Sequence, residues 1–464
     1  MSSSHLKAVE AAQALLLKLS SSSRIFTDSS CAEVKDLLMR WSDVDIQTPS
    51  AILQPSNAND ISIIVRSSTK HSIALIASSG GHSNWSTIGP GGWILDLSLL
   101  TSISISPTQR TATILGGTLT KPILAAVSSA GYLIHTANAS GVGHVGFLLG
   151  GGNSVLVGQY GMAVDALISA RVVTATGDIV TASEEENADL FWALKGAGCY
   201  FGIVSELTVR IFPKTTEIVN WTCVFKPEQV EEVGRAVKMV SDGNDRMSFG
   251  SVLVTLPPGP AGPMKPIIIV SMTHFRSLAE AEEIMQPILS IGPVAQIKKS
   301  IEFADITDAA DRIDKKGGLK SIVSCGMQSF DPVMLEKSLD AWVRLVDAHP
   351  GAKDTFFILS WSSTEGMREF EGDGSAYGHR DVGSWCFIWP SGTDEVSFQA
   401  AVKTSEELVD LCQAGQDEDE KSSFPSHSRT KSVEQRYRGE EMRKRLGDVK
   451  RIWDPEGVFT RHFL

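Results

Sequence analysis

Ser78-Ser79-Gly80-Gly81-His82-Ser83 stands directly after the apolar run IALIA (73–77), and Gly141-Val142-Gly143-His144-Val145-Gly146-Phe147-Leu148-Leu149-Gly150-Gly151-Gly152 follows later in the chain. Consecutive glycines at a strand end let successive backbone N–H groups turn toward one point, which makes a nest for phosphate oxygens. A histidine on such a turn presents its imidazole free. Taken alone, the first stretch also fits a tight turn with a surface histidine. The second contains GVGHVG, a mechanical match to the G-x-G-x-x-G dinucleotide fingerprint. That fingerprint needs a strand before it and an uninterrupted helix after it. Here Gly150, Gly151 and Gly152 fall where the helix should run, and Thr136–Ser140 is not an apolar strand. Asp165 precedes its apolar run instead of ending it. A backbone lying flush against a large flat ligand accounts for these glycines better than a Rossmann domain does.

A third stretch runs from Tyr160-Gly161 through Asp165, the hairpin pattern ARVVTATGDIVTAS (170–183) and Asp189 to Gly196, Gly198, Gly202, Ile203 and Val204. Around these stretches, from about Pro49 to Pro213, AILQPS (51–56), IALIAS (73–78), WILDLS (93–98), TATILGG (111–117), ALISARVVTAT (166–176) and VSELTVRIF (204–212) read as strands. NANDISIIVRSSTKH (57–71), with Asn59 or Asp60 as cap, and LTKPILAAVSSAGY (119–132) read as helices.

Beyond Pro213 the texture changes. Segments 227–242, 277–291, 331–349 and 395–411 carry the spacing of amphipathic helices. Segments 246–257, 265–275, 319–330, 354–363 and 383–390 read as strands. Such a set predicts a sheet with helices on one face. The acidic run at 416–420 reads as a solvated loop, and 433–450 as a closing helix with Glu434–Arg438, Glu440–Lys444 and Glu441–Arg445 at i,i+4 spacing.

Composition removes several function classes. The 464 residues are 42% hydrophobic and 21% charged, as in a globular protein of more than one domain. A net charge of −12 leaves no broad basic surface to neutralise phosphates, so no nucleic-acid partner is expected. No apolar run is long enough to span a membrane. Glu10 and Lys18 interrupt the N-terminal apolar stretch, which reads as an amphipathic helix and not as a signal peptide. Six cysteines lie scattered without C-x-x-C spacing, which suits a reducing compartment and argues against a metal site. An intracellular, cytoplasmic protein is expected.

In order and spacing, the three glycine stretches together resemble the FAD-binding domain of the para-cresol-methylhydroxylase (PCMH) type, shared with vanillyl-alcohol-oxidase-like enzymes. Berberine-bridge-enzyme-like oxidases and hydroxynicotine oxidases are the relatives it is most similar to. The likeness resumes at Tyr437…Asp454-Pro455-Glu456-Gly457-Val458-Phe459, which resembles the family's closing helix and D-P-x-x-V-F turn. The resemblance implies a two-domain α+β fold. An FAD-binding domain would occupy 1–213, with its PCMH-type core at about 45–213. A substrate domain on an antiparallel sheet covered by helices would occupy 214–422, and 423–464 would return to the FAD domain.

It also implies roles. Ser78, Ser79, Gly80, Gly81, His82 and Ser83 would wrap the FAD pyrophosphate, with His82 bonded to the flavin 8α-methyl. Gly141, Val142, Gly143, Gly146, Gly150, Gly151 and Gly152 would lie along the flavin and ribityl chain, and Ile203 and Val204 would meet the adenine end. Ala139 stands where many members attach the flavin a second time through cysteine, so only the histidyl bond is expected. Ser78 replaces the usual Arg and Tyr200 a common Asn, and Val142 matches a small residue that leaves oxygen access. The implied activity is hydride transfer from a small, secondary-metabolite-like substrate to flavin N5 with O2 as acceptor, possible with ring formation. A flavin dehydrogenase with another acceptor, or a non-redox cyclase, are the alternatives. Gly374-Ser375-Ala376-Tyr377-Gly378-His379-Arg380 resembles a segment flanking the pocket, and Tyr377 or His379 is the candidate catalytic base. Structural hydrogen bonding at a strand start fits them equally. Phe424-Pro425-Ser426-His427 would replace the family's Y-x-N motif.

Overall fold

The computed structural model describes residues 2–83, 85–256, 265–311, 314–370, 372, 374–427 and 433–459. In the first half, the strands Ala51–Gln54, Trp93–Asp96 and Leu75–Ser78 run parallel in that order, with Arg24–Phe26 antiparallel on the edge. Full burial of Ala51–Gln54 and Trp93–Asp96 explains why they read as continuous apolar runs. The helix Ala58–His71 links two of them and buries Ile61, Ile64 and Val65. Its cap is Asn57, not Asn59 or Asp60. Asn57 sits one turn earlier, so its side chain accepts from the Asp60 N–H at 3.0 Å. The Asp60 carboxylate instead turns back to accept from Ser20, Ser23 and Ser56. A second sheet joins Ile103–Ser106, Thr111–Leu115, Ile203–Arg210, Leu167–Val173 and Ile179–Ser183, antiparallel throughout.

The later part of the chain builds seven antiparallel strands in the order Ala295–Ser300, Val219–Phe225, Ile267–His274, Ser248–Thr255, Phe356–Ser362, Ser384–Trp389, Val323–Met327. The helices Val230–Asp242, Leu278–Leu289, Pro332–Ala348 and Glu395–Cys412 pack into one core with this sheet, where Val237, Met285, Trp342 and Val409 meet Trp221, Phe357 and Ile388. The alternate side chains Trp385 and Phe387 point the other way. They join a core shared with the first half, alongside Leu148, Trp192 and Phe201. The α+β class and the helix-covered antiparallel sheet agree with the sequence reading.

Arg24–Phe26 and Ile103–Ser106 had escaped that reading, as had two strands of the large sheet. Val219–Phe225 buries Val219, Trp221, Cys223 and Phe225 in strict alternation, a legible pattern. Ala295–Ser300 is exposed along its whole length, so no apolar alternation reveals it. The expected strand 319–330 divides: Leu319–Lys320 pairs with Ser391–Gly392, and only Val323–Met327 enters the large sheet. The closing helix is also broken, into Val433–Arg436 and Glu440–Trp453, with Gly439 at φ +90° between them. Arg438 therefore leaves the helical face expected to pair it with Glu434 and reaches Asp381. Cys325, Cys386 and Cys412, remote in sequence, bring their sulfurs within 4.8 Å of one another beneath the sheet.

His135, His144, His274 and His379 lie buried in these cores. Burial pushes His135 and His379 down to about 3, and His144 and His274 down to about 4. An unfolded histidine titrates near 6.5, so below that pH the unfolded chain binds protons that the folded chain refuses. Stability must then fall as pH drops from about 6.5 toward 4, by up to about 1.4 kcal/mol per unit for each histidine. Neither ring nitrogen of His144 has a protein partner among the described residues. Denaturation at pH 7.5 and 5 is expected to show this loss, with a shallower slope in His144→Leu. Equal slopes would mean that His144 takes up its proton in the folded state.

Candidate active site

The first two glycine stretches meet backbone to backbone. The strand Leu75–Ser78 ends against Trp93–Asp96, and Leu97 N–H donates to Ser78 O at 2.8 Å, which fixes where the turn begins. A Cβ on Gly80 would stand 2.6 Å from the Gly143 nitrogen and closer still to Gly141 O. A Cβ on Gly143 would overlap the Ser79 hydroxyl. Only glycine permits this approach. Gly81 adopts φ +70°, the left-handed region, and its carbonyl accepts from Trp41 N–H at 2.8 Å. From the other side, Val142 O accepts from Thr120 N–H and Thr118 O from His144 N–H. The second stretch then runs as the short helix His144–Leu149 and ends at Gly150, confirming that no long fingerprint helix follows.

His82 lies over this junction. Its Nε2 is 3.0 Å from where a Cβ on Gly141 would stand and 3.4 Å from Asp314 Oδ2. Burial lowers its pKa, opposed by Asp314 and Asp311 and assisted by Lys316 and Lys320. The ring is therefore a neutral imidazole near pH 7. Lys316 Nζ stands 3.6 Å from the Cβ position of Gly81, and the buried Arg40 lies on the same turn with one guanidinium nitrogen unpaired within the described protein. These cations come from outside all three motifs, and sequence reasoning missed them. Ile203 and Val204 open the strand Ile203–Arg210, both buried. They reach the same corner through Gly116, which donates to Ser205 O at 2.9 Å, and Gly117, which packs on Leu97.

Gly150, Gly151 and Gly152 serve a second junction. A Cβ on Gly150 would stand 2.8 Å from Ser426, and one on Gly151 would stand 2.5 Å from the Tyr377 ring. A Cβ on Gly196 would stand 2.7 Å from the Tyr377 backbone nitrogen. Tyr377 is thus pinched between two glycine backbones. Asp165 is engaged structurally: Arg380 Nη2 donates to its Oδ1 at 2.7 Å and Nη1 to its Oδ2 at 2.5 Å, while Met162 N–H donates at 2.8 Å. This buried bidentate pair ties the third motif to the Tyr377 segment.

Tyr377, His379, Trp385, Phe387, Phe424 and His427 form one aromatic cluster, with Trp385 and Phe387 stacked at 6.0 Å and Phe424 and His427 rings 4.9 Å apart. His379 Nε2–H donates to Arg436 O at 3.0 Å, leaving the lone pair on Nδ1. The Tyr377 hydroxyl, His379 Nδ1 and His427 Nδ1 are buried polar atoms without a described protein partner. Burial pushes the Tyr377 phenol up, so it stays protonated and can donate.

The residues fit a bound FAD. Ser78 Oγ is buried without a protein partner, one guanidinium nitrogen of the buried Arg40 is likewise unpaired among the described residues, and a Cβ on Gly146 would meet nothing within 4 Å. The family model described as "FAD binding domain" matches residues 49–183. Those residues are an FAD-binding domain of the PCMH type.

Similarity extends beyond that domain. The FAD-linked oxidoreductase hasG of Aspergillus fumigatus is 29% identical over 369 residues, covering 77% of each chain. A BBE-like 1 protein of Physcomitrella patens superposes with a TM-score of 0.82 at 16% identity, covering 98% of this chain and 97% of that one. Glucooligosaccharide oxidase of Acremonium strictum does so with 0.82 at 21% identity, covering 98% of each. At such identities the structures establish the fold. The chain is an FAD-dependent oxidoreductase. No helix among its described residues is long and apolar enough to cross a membrane.

The FAD-binding domain yields two expectations. Gly146→Ala adds a Cβ that meets no protein atom and improves helix propensity by about 1 kcal/mol. Melting temperature should hold or rise while flavin content falls; full flavin content would put the ligand elsewhere. Arg380→Ala strands a buried Asp165 carboxylate, and denaturation should show a loss of about 3–5 kcal/mol.

Proposed function

We propose that this enzyme is an oxidase carrying FAD bonded through His82 alone, acting on a small organic substrate held between the flavin and the large sheet. The observation that carries the reading is the junction of Gly80 and His82 with Gly141–Gly143, which sets a neutral imidazole beside a backbone cradle. The 8α-N1-histidyl FAD named for the Acremonium strictum oxidase supports the histidyl bond by analogy. Ala139 leaves no second attachment. When bound, FAD supplies a two-electron acceptor that takes hydride and passes its electrons to O2.

The chain's own contributions are binding, orientation and proton handling. Residues 78–83 would hold the pyrophosphate through their N–H groups, with Arg40 and Lys316 offsetting its charge. Gly141 to Gly152 would line the flavin and ribityl chain, and Ile203 and Val204 would flank the adenine. Trp385, Phe387 and Phe424 would exclude water and stack against a planar or ring-bearing substrate. His379, fixed by Arg436 O, presents the Nδ1 lone pair as acceptor, and Tyr377 presents its hydroxyl as donor. Together they would orient a substrate O–H or N–H as hydride departs, and because burial holds His379 down to about 3 the substrate's proton would pass on to solvent and not stay on the ring. The fungal oxidoreductase relatives support a role in secondary metabolism; a cytoplasmic location and ring closure coupled to the oxidation are part of the proposal.

Acid-precipitated wild-type protein is expected to stay yellow and His82→Ala to release its flavin; a colourless wild-type pellet would refute the bond. Substrate added without air should bleach the flavin, and air should restore it with hydrogen peroxide released. Slow reoxidation would instead identify a dehydrogenase, and no bleaching with the true substrate would end the redox reading. Tyr377→Phe should keep its flavin and lose about 10²-fold or more in kcat, the usual size of an acid–base contribution. An unchanged kcat would make Tyr377 structural.

A further inference from the structure

His82 and Asp314 lie far apart in sequence, yet one bracket of chain sets both. On one side Trp41 N–H holds Gly81 O at 2.8 Å. On the other, Gly317 N–H donates to Arg40 O at 3.0 Å and Gly318 N–H to the Asp43 carboxylate at 2.7 Å. The helix Asp308–Asp311 is held independently, because Asp311 accepts from Ser140 N–H at 2.7 Å, and Asp314 N–H donates back to Ala310 O at 2.9 Å. The result is a largely buried carboxylate 3.4 Å from His82 Nε2, with side-chain exposures of 6% and 18%. Among the described residues His82 makes no hydrogen bond at either ring nitrogen, and the Asp314 carboxylate is the charged group that stands at Nε2.

We infer that Asp314 is the positioning residue for flavin attachment, holding the His82 imidazole with its proton on Nε2 and its lone pair on Nδ1. The inference rests on the reading of His82 as the attachment point. A neutral imidazole has one N–H and one lone pair, and a carboxylate beside one nitrogen selects the tautomer that donates to it. The charged groups facing the ring act in balance. Asp314 and Asp311 favour the cation, while burial, Lys316 and Lys320 oppose it, and the ring stays neutral.

The step balances with dioxygen as oxidant. One bond forms, from Nδ1 to the flavin 8α carbon, and one 8α C–H bond breaks. The 8α proton passes to solvent water, its electron pair passes into the ring system, and the Nδ1 lone pair makes the new bond. The flavin is left reduced by two electrons, which dioxygen removes as hydrogen peroxide. The bonded imidazole becomes positive with its proton still on Nε2, beside the Asp314 carboxylate. Asp314 therefore acts twice, on the tautomer before bonding and on the charge after it. Because Asp314 comes from the later part of the chain, bonding waits until that part has docked on the FAD-binding domain.

The test compares full-length wild type, D314N and D314E, incubated with FAD in air across pH 6 to 9. It reads the flavin fraction retained after acid precipitation, the visible spectrum of bound flavin, and melting temperature. Wild type should bond its flavin, D314N should bind FAD yet bond it at least tenfold more slowly with an altered pH profile, and D314E should regain most of the rate. A wild-type protein that never retains flavin ends the His82 reading, and this one with it. A wild type that bonds flavin while D314N matches its rate and pH profile overturns the Asp314 inference alone. If D314N melts early or loses FAD, D314E decides, since failure of that carboxylate variant to restore bonding overturns the inference too.

Discussion

The direct contact of Gly80 with Gly141 and Gly143 is the constraint on which the rest of this molecule depends. Two loops separated in the chain by strands of different sheets and the helix Thr120–Ser129 approach until a single methyl group would not fit between them. That closeness puts His82 over the second loop, with its Nε2 against Gly141. Everything placed further out inherits its position from this junction: the Thr118–Thr120 bonds behind it, the Trp41 bond to Gly81, and the helix Asp308–Asp311 docked on Ser140. A side chain at Gly80 or Gly143 would unseat all of them together.

A different logic joins the halves of the protein. The large sheet has its own core under four helices, yet its other face packs into the core of the FAD-binding half. Polar groups set the register of that contact. Arg380 grips Asp165 with both guanidinium arms in a buried setting, where only a well-matched pair offsets the cost of desolvation. The two C-terminal helices add Arg436 to Tyr200 OH at 2.8 Å and Trp453 Nε1 to Asp189 at 3.0 Å. Asp454 caps the final turn through Val458 and Phe459 N–H. The aromatic cluster around Tyr377 sits where these three parts meet, which is why its polar atoms are enclosed.

Burial decides the electrostatics of the site more than pairing does. His82 remains neutral although two carboxylates face it, because desolvation and two lysines outweigh them. His379 is neutral for the same reason, and the Tyr377 phenol is kept protonated.

The glycine stretches, their order and the closing D-P-x-x-V-F turn were enough to expose the FAD-binding domain, because backbone that must touch backbone or cofactor admits only glycine and leaves that demand written in the chain. Strands and helices with one buried face were legible for the same reason: Ile61, Ile64 and Val65 repeat because a face must be buried. Wholly exposed Ala295–Ser300 carries no such signature, and the break at Gly439 lets Arg438 reach Asp381, a partner remote in sequence. Only the tertiary structure could bring Arg40, Asp314 and Lys316 to the His82 turn, or gather Cys325, Cys386 and Cys412. Those residues serve through distance and burial, and neither is a property of neighbours along the chain.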